Sequence, residues 1–109
     1  MMYKQNKAVL AGMAENEMFN EIADFRLYIK GMYPDSVKAL IATKVICDRY
    51  LQGRSTLEII DTIKEPGRAL ADGVTKIPTL VKLSPYPLQS LSNELDDPEQ
   101  ILVTLGLQT

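Results

Sequence analysis

The 109-residue chain has no histidine, no tryptophan and a single cysteine, Cys47. Without histidine, Ser-His and Cys-His nucleophile pairs and most zinc sites are excluded. One thiol excludes an intramolecular disulfide and any dithiol chemistry within one chain. Such sparing use of cysteine fits a cytoplasmic setting. No stretch approaches the ~20 consecutive apolar residues that cross a bilayer. Residues 1–14, with Lys4 and Lys7 ahead of "AVLAGMA", only faintly imitate a signal peptide, because the apolar stretch is short and acidic residues follow closely. The net charge of −2 argues against a nucleic-acid binder, since neutralising phosphates takes a basic face.

What is present is a hydrophobic fraction of 46%, enough for one packed domain in a chain too short for two of ordinary size. Charge is unevenly spread. Residues 25–83 hold ten Lys/Arg against six Asp/Glu, a local +4, whereas residues 1–24 sum to −2 and residues 84–109 hold four acids and no base. A mildly basic body with an acidic end orients a protein partner more readily than it grips DNA.

Residues 1–23 read as an extension, with a helical turn or two in "ENEMFNEIA", where Met18, Phe19, Ile22 and Ala23 share a face. Residues 24–109 read as the domain. "FRLYIK" alternates Phe25, Leu27 and Ile29 with polar neighbours, the period of a strand with one buried face. Gly31 and Pro34 break it. Asp35 or Ser36 is a natural N-cap for a helix with Val37, Leu40, Ile41, Val45 and Leu51 as its apolar stripe, ended by Gly53. "TLEIIDTI" reads as a second strand with Leu57, Ile59 and Ile63 on one face. Pro66 opens a short helical segment that Gly73 closes. "TLVKL" and "LQSLSNEL" are the third and fourth strands, separated by Pro85 and Pro87, whose missing donors place this corner at an edge or loop. "DDPEQILVTLGL" has an Asp cap, Pro at the first helical position and Glu in the first turn, a strong helix start. The order β-α-β-α-β-β-α is the thioredoxin-like α/β plan, and "VTKIPTLVKL" (Val74–Leu83) sets Pro78 where such domains present a cis-proline beside the active site.

In a redox domain of this plan a cysteine pair opens the first long helix, where the dipole and free amides stabilise a thiolate. The equivalent stretch, "GMYPDSVKAL", has none. Cys47 lies about three turns further on, close to the apolar stripe, and reads as a small buried hydrophobe rather than a reactive thiol. Asp61 shares the phase of Leu57 and Ile59. It reads as a carboxylate bonded to the following turn in preference to a proton shuttle. Lys38, Lys64, Lys76 and Lys82 form either a docking face for an acidic partner or solvated surface. What survives of such a fold without thiols is binding.

Phe25 to Leu107 resemble the KaiB family, small thioredoxin-like proteins of the cyanobacterial circadian clock. The resemblance is carried by "LYIKGMYPDSVKAL" (Leu27–Leu40), "EIIDTIKEP" (Glu58–Pro66), "IPTLVKLSPYP" (Ile77–Pro87) and "ILVTLGL" (Ile101–Leu107). The same domain forms the sensor of the clock's output histidine kinase. The resemblance implies a non-enzymatic adaptor without cofactor that binds the N-terminal ring of the ATPase KaiC, sequesters KaiA and competes with the output kinase. It also implies two folds of one sequence, a tetrameric ground state with its own topology and a thioredoxin-like monomer competent to bind; such metamorphism needs two packings within a few kcal/mol. Tyr28, Pro34, Lys38, Lys64 and Lys82 are the expected partner-binding residues, and Pro78, Thr104 and Gly106 the expected fold-determining ones.

Three departures from the family pattern are informative. Tyr86 replaces a third proline, and Gln89 and Ser90 stand where arginines are usual. The 23-residue extension is longer than family members need. Thr104 occupies a usual glycine position and Gly106 a usual aspartate position. Glycine within a helix costs about 0.5–1 kcal/mol relative to alanine, so moving it to position 106, where it caps, strengthens the last helix. The expectation is a chain resting mainly in the thioredoxin-like fold, as a monomer, with a tetramer or dimer as the alternative. Three functions compete: a KaiB-type module docking a KaiC-like ATPase, a divergent paralogue binding another signalling or stress partner, and a Cys47-dependent redox protein.

Overall fold

A computed structural model describes residues 22–107. The helical turn expected in residues 15–23 therefore falls almost wholly outside the described residues. Strand β1 (Ala23–Ile29) leads into helix α1 (Pro34–Val45), which continues through a π-helical turn, Ile46–Tyr50, before strand β2 (Ser55–Asp61). Helix α2 (Pro66–Ala71), strands β3 (Thr79–Ser84) and β4 (Gln89–Leu91) and helix α3 (Pro98–Thr104) complete the chain. The sheet order is β2-β1-β3-β4. β1 pairs parallel with β2 and antiparallel with β3, and β4 pairs antiparallel with β3. This is the β-α-β-α-β-β-α thioredoxin-like arrangement expected from the sequence. β4, after the two prolines, is an edge strand, and it is shorter than the "LQSLSNEL" run; Leu95 leaves the strand to enter the core.

Two apolar layers flank the sheet. On one face Phe25, Leu27 and Ile29 pack with Ala39, Ala42 and Ile46 of α1 and the following turn, and with Ile101, Leu102 and Leu105 from α3 and its end. On the other, Tyr28, Ile60 and Val81 pack with Ala69 of α2. Alternation along β1 divides its side chains between these layers.

The buried side of α1 corrects the expected stripe. Ser36, Ala39, Ala42 and Thr43 face inward, whereas Ile41 is 59% exposed. The physical reason is close approach: the large side chains of β1 fill the interface, so the helix presents small ones. Buried polar groups there are satisfied, since Thr43 Oγ1 donates to the Ala39 carbonyl and Ser36 Oγ accepts from the Lys30 N–H, both at 2.8 Å. The helix begins at Pro34, after Tyr33, with Asp35 in the first turn and no side-chain cap. β2 also departs from expectation. Ile60 is fully buried while Ile59 is 43% and Ile63 58% exposed. Among the described residues β2 is the other edge strand, its Leu57 is half-buried and Ile59 exposed, and Ile63 lies beyond the strand end.

Helix α3 is specified at both ends. Asp97 Oδ1 accepts from the N–H groups of Glu99 and Gln100, and Pro98 occupies the first position. At the other end Gly106 has φ +68. Its N–H donates to the Val103 carbonyl and the Leu107 N–H to the Leu102 carbonyl, the paired bonds of a Schellman motif. Gln89 Nε2 donates to the Thr104 carbonyl at 3.3 Å, joining β4 to this helix end. The Ile77–Pro78, Ser84–Pro85 and Tyr86–Pro87 peptides are cis.

Candidate partner-docking end

The C-terminal ends of β1 and β2 lie beside the start of β3, because Ile29 pairs with Asp61 and Tyr28 with Thr79. Three loops therefore gather at one end of the sheet: residues 30–33, 62–65 and 74–78. In thiol oxidoreductases of this plan, this is where the cysteines and the cis-proline meet. Here the first loop carries Met32 and Tyr33, 77% and 55% exposed, and the second carries Ile63.

Asp61 organises this end. Its Oδ1 accepts from the N–H groups of Gly31 and Ile63, each at 3.0 Å, so one carboxylate ties the two apolar loops together. The turn reading of Asp61 is the one the geometry supports. Gly31 has φ +52, and a Cβ there would come within 2.9 Å of Ile63 Cδ1. The positive φ is what calls for glycine here, while the exposed Ile63 side chain has room to turn away from a Cβ. Lys30 Nζ stands 4.7 Å from the centroid of the Tyr33 ring, a cation–π contact at the rim. Thr79 Oγ1 donates to the Lys76 carbonyl and closes the third loop ahead of β3.

Of the residues singled out in the sequence, Pro34, Lys38 and Lys64 are exposed, as is Lys76. Pro34 and Lys64 flank the apolar loops directly, and Lys38 lies one turn along α1. Tyr28 and Lys82 are corrections: 1% and 2% exposed, they are interior side chains that offer a partner no surface. Strand alternation is a poor guide here, because both faces of the sheet are covered. Tyr28 points into the second apolar layer, and Lys82, opposite Phe25, points into the first. Tyr28 donates its hydroxyl to Asp72, which also pairs with Arg26 at 3.6 Å, while Glu58 takes Arg26 and a two-point contact from Arg68. The network fastens α2 to the sheet. Burial, followed by the Asp72 hydrogen bond, raises the Tyr28 pKa above its ordinary value, and the Arg68 contact lowers that of Glu58.

Met32, Tyr33 and Ile63 are functional candidates that sequence reasoning misses. The available signal is their position, since apolar residues next to Gly31 and Pro34, or beyond a strand-ending Asp61, sit in turns that run over the surface. Cys47 is half-buried, and burial raises its pKa above the ordinary value, opposite to the shift that makes a thiol nucleophilic. Among the described residues no group of acids and Cys47 is placed to hold a metal ion, and no helix is long and apolar enough to cross a membrane.

The fold and this end define a thioredoxin-like domain whose first long helix opens on an apolar, lysine-flanked loop without a thiol. Residues 26–107 match the KaiB domain family. The chain belongs to the KaiB family. It is 36% identical over 89 residues to the circadian clock oscillator protein KaiB of Gloeothece citriformis, covering 82% of this chain and 84% of that one. It is 38% identical over 82 residues to the KaiB of a Nostoc species, with 75% and 76% covered. Among solved structures it resembles the N-terminal domain of Synechococcus elongatus SasA, with TM-score 0.63, 19% identity and 96% and 88% of the two chains covered. Chloroplastic thioredoxin z has the same fold, with TM-score 0.67 and 15% identity over 97% and 95%.

Proposed function

We propose that this chain is a non-enzymatic binding module of a circadian-clock-type system, docking a KaiC-like ATPase through the loop end built by Gly31–Pro34, Ile63 and Lys64. The observation that carries the reading is the thioredoxin-like arrangement itself, with α3 capped at both ends in a KaiB-family chain. Docked there, the module competes with, or recruits, a KaiA-like protein or a histidine kinase bearing the same domain. Met32, Tyr33 and Ile63 supply apolar area, and Lys30, Lys64 and Lys76 the positive rim that steers an acidic partner. Size-exclusion chromatography of the chain with a KaiC-like hexamer, under ATP, ADP and no nucleotide, tests this. Co-elution weakened by Tyr33→Ala and Lys64→Glu is the expected result; no complex under any nucleotide condition rejects it.

A second reading, a divergent family member with another signalling partner, is favoured by Gln89. Where the family pattern usually has an arginine, this side chain donates to the Thr104 carbonyl. Restoring the bases with Gln89→Arg and Ser90→Arg separates the two readings. Unchanged affinity for the KaiC-like hexamer supports the first, and binding gained only in the double variant supports the second.

A further inference from the structure

Helix α2 is held differently from the other two helices. α1 and α3 each bury several side chains against the sheet. Of the six residues Pro66–Ala71, Ala69 alone is buried, Leu70 is 83% exposed, and Gly67 contributes no side chain. A helix this short does not sustain itself in water, and an interior glycine weakens it further. What fastens α2 is charged. Arg68 makes its two-point contact with Glu58 of β2 at 3.1 and 3.2 Å. Asp72, just past the helix end, meets the Tyr28 hydroxyl and Arg26 of β1. The four side chains of these ion pairs, Arg26, Glu58, Arg68 and Asp72, are all partly exposed. Exposed pairs are weak and are screened by salt.

Beneath the helix the character changes. Tyr28, Ile60 and Val81 are buried there, and Val74 and Ile77, from the third loop of the docking end, pack against them. The backbone bonds of α2 and its end, among them Asp72 N–H to the Arg68 carbonyl and Val74 N–H to the Ala69 carbonyl, lie within residues 65–74. Opening this segment therefore breaks no hydrogen bond of the sheet. A charged fastening over an apolar layer, with self-contained backbone bonding, is what a locally opening unit requires.

We propose that α2 is a salt-sensitive lid: screening of its ion pairs opens residues 65–74 locally, uncovers the layer of Tyr28, Ile60 and Val81, and frees the third loop of the docking end while the sheet stays intact. Ionic surroundings, or a charged partner competing for Arg68 or Asp72, thereby act on that end through α2. Once detached, so short a helix unravels, and its amides become free to exchange.

The test is native-state amide exchange by NMR on the full chain, from about 0.01 M to about 1 M NaCl, which shortens the Debye length from ~30 Å to ~3 Å. Protection of the Asp72 and Val74 amides should fall about fivefold, the size expected from screening one or two exposed pairs, while the amides of β1 and β3 keep theirs. Arg68→Met, which keeps the length of the side chain and removes its charge, should leave these amides weakly protected at both salt concentrations and abolish the salt dependence. Arg68→Lys should restore part of it. Unchanged protection of Asp72 and Val74 across the salt range overturns the proposal. So does loss of protection shared equally by β3 and β4, because the opening is then global and α2 is no separate lid.

Discussion

Asp61 and Tyr28 are single residues on which neighbouring elements depend. Asp61 accepts two backbone N–H groups from different loops. Its truncation leaves the part-buried Gly31 N–H without its acceptor, whereas the exposed Ile63 N–H can turn to water, and a lost hydrogen bond to a charged acceptor is worth about 1.5–3 kcal/mol. Asp61→Ala should therefore lower stability by about that amount in urea unfolding, and Asp61→Asn, which keeps an acceptor, by less. The same Asp61→Ala change should loosen the docking end, seen as increased amide exchange at Gly31 and Ile63. Tyr28 gives a pH signature. Its folded-state pKa is raised, first by burial and then by the bond to Asp72. A raised folded pKa contributes stability that is complete below the unfolded value, about 10, and is lost as pH rises through the folded value. Alkaline titration should show one tyrosine ionising late and together with unfolding. Tyr28→Phe should remove that late component from the tyrosinate absorbance.

At the scale of elements, α1 and α3 obey different rules. α1 is positioned by packing. Its small inward face is hidden from a reading based on the largest apolar residues, because Ala39, Ala42 and Thr43 carry a weak hydropathy signal and Leu40, Ile41 and Val45 a strong one. α3 is positioned by local chemistry. The Asp-Asp-Pro-Glu start and the glycine end are readable in the chain, and they appear as an Asp97 cap and a Schellman motif at Gly106. Asp97→Ala should lower stability by roughly 1 kcal/mol, measured by urea unfolding. Helical signal at Pro98–Thr104 should fall first, since the change removes two acceptor contacts at one helix end.

For the whole molecule the decisive question is which packing the chain adopts in solution. A KaiB-family sequence with a well-capped α3, a Gln89–Thr104 tie and a charged network fastening α2 to the sheet should rest in the thioredoxin-like arrangement. Backbone chemical shifts should show helix at Pro66–Ala71 and Pro98–Thr104, with β3 and β4 between them, and sedimentation should give a monomer. Strand shifts across residues 98–104, with slow tumbling, would instead establish a tetrameric ground state as the resting form.

Alternation in "FRLYIK", the caps of the last helix and the prolines around 85–87 determine the element order and much of the fold, because these signals act over a few residues. The missing histidine and the single cysteine exclude Ser-His and Cys-His nucleophile pairs and an intramolecular dithiol on residue content alone. Tertiary structure decides the rest. Only the sheet order makes β2 an edge among the described residues, and only the packing of helices on both faces of the sheet buries Tyr28 and Lys82, removing two expected contact residues. Met32, Tyr33 and Ile63 become one surface through the parallel pairing of β1 and β2 and the Asp61 carboxylate between their loops. Burial and adjacency are properties of packed pairs distant in sequence, and no periodicity within one segment encodes them.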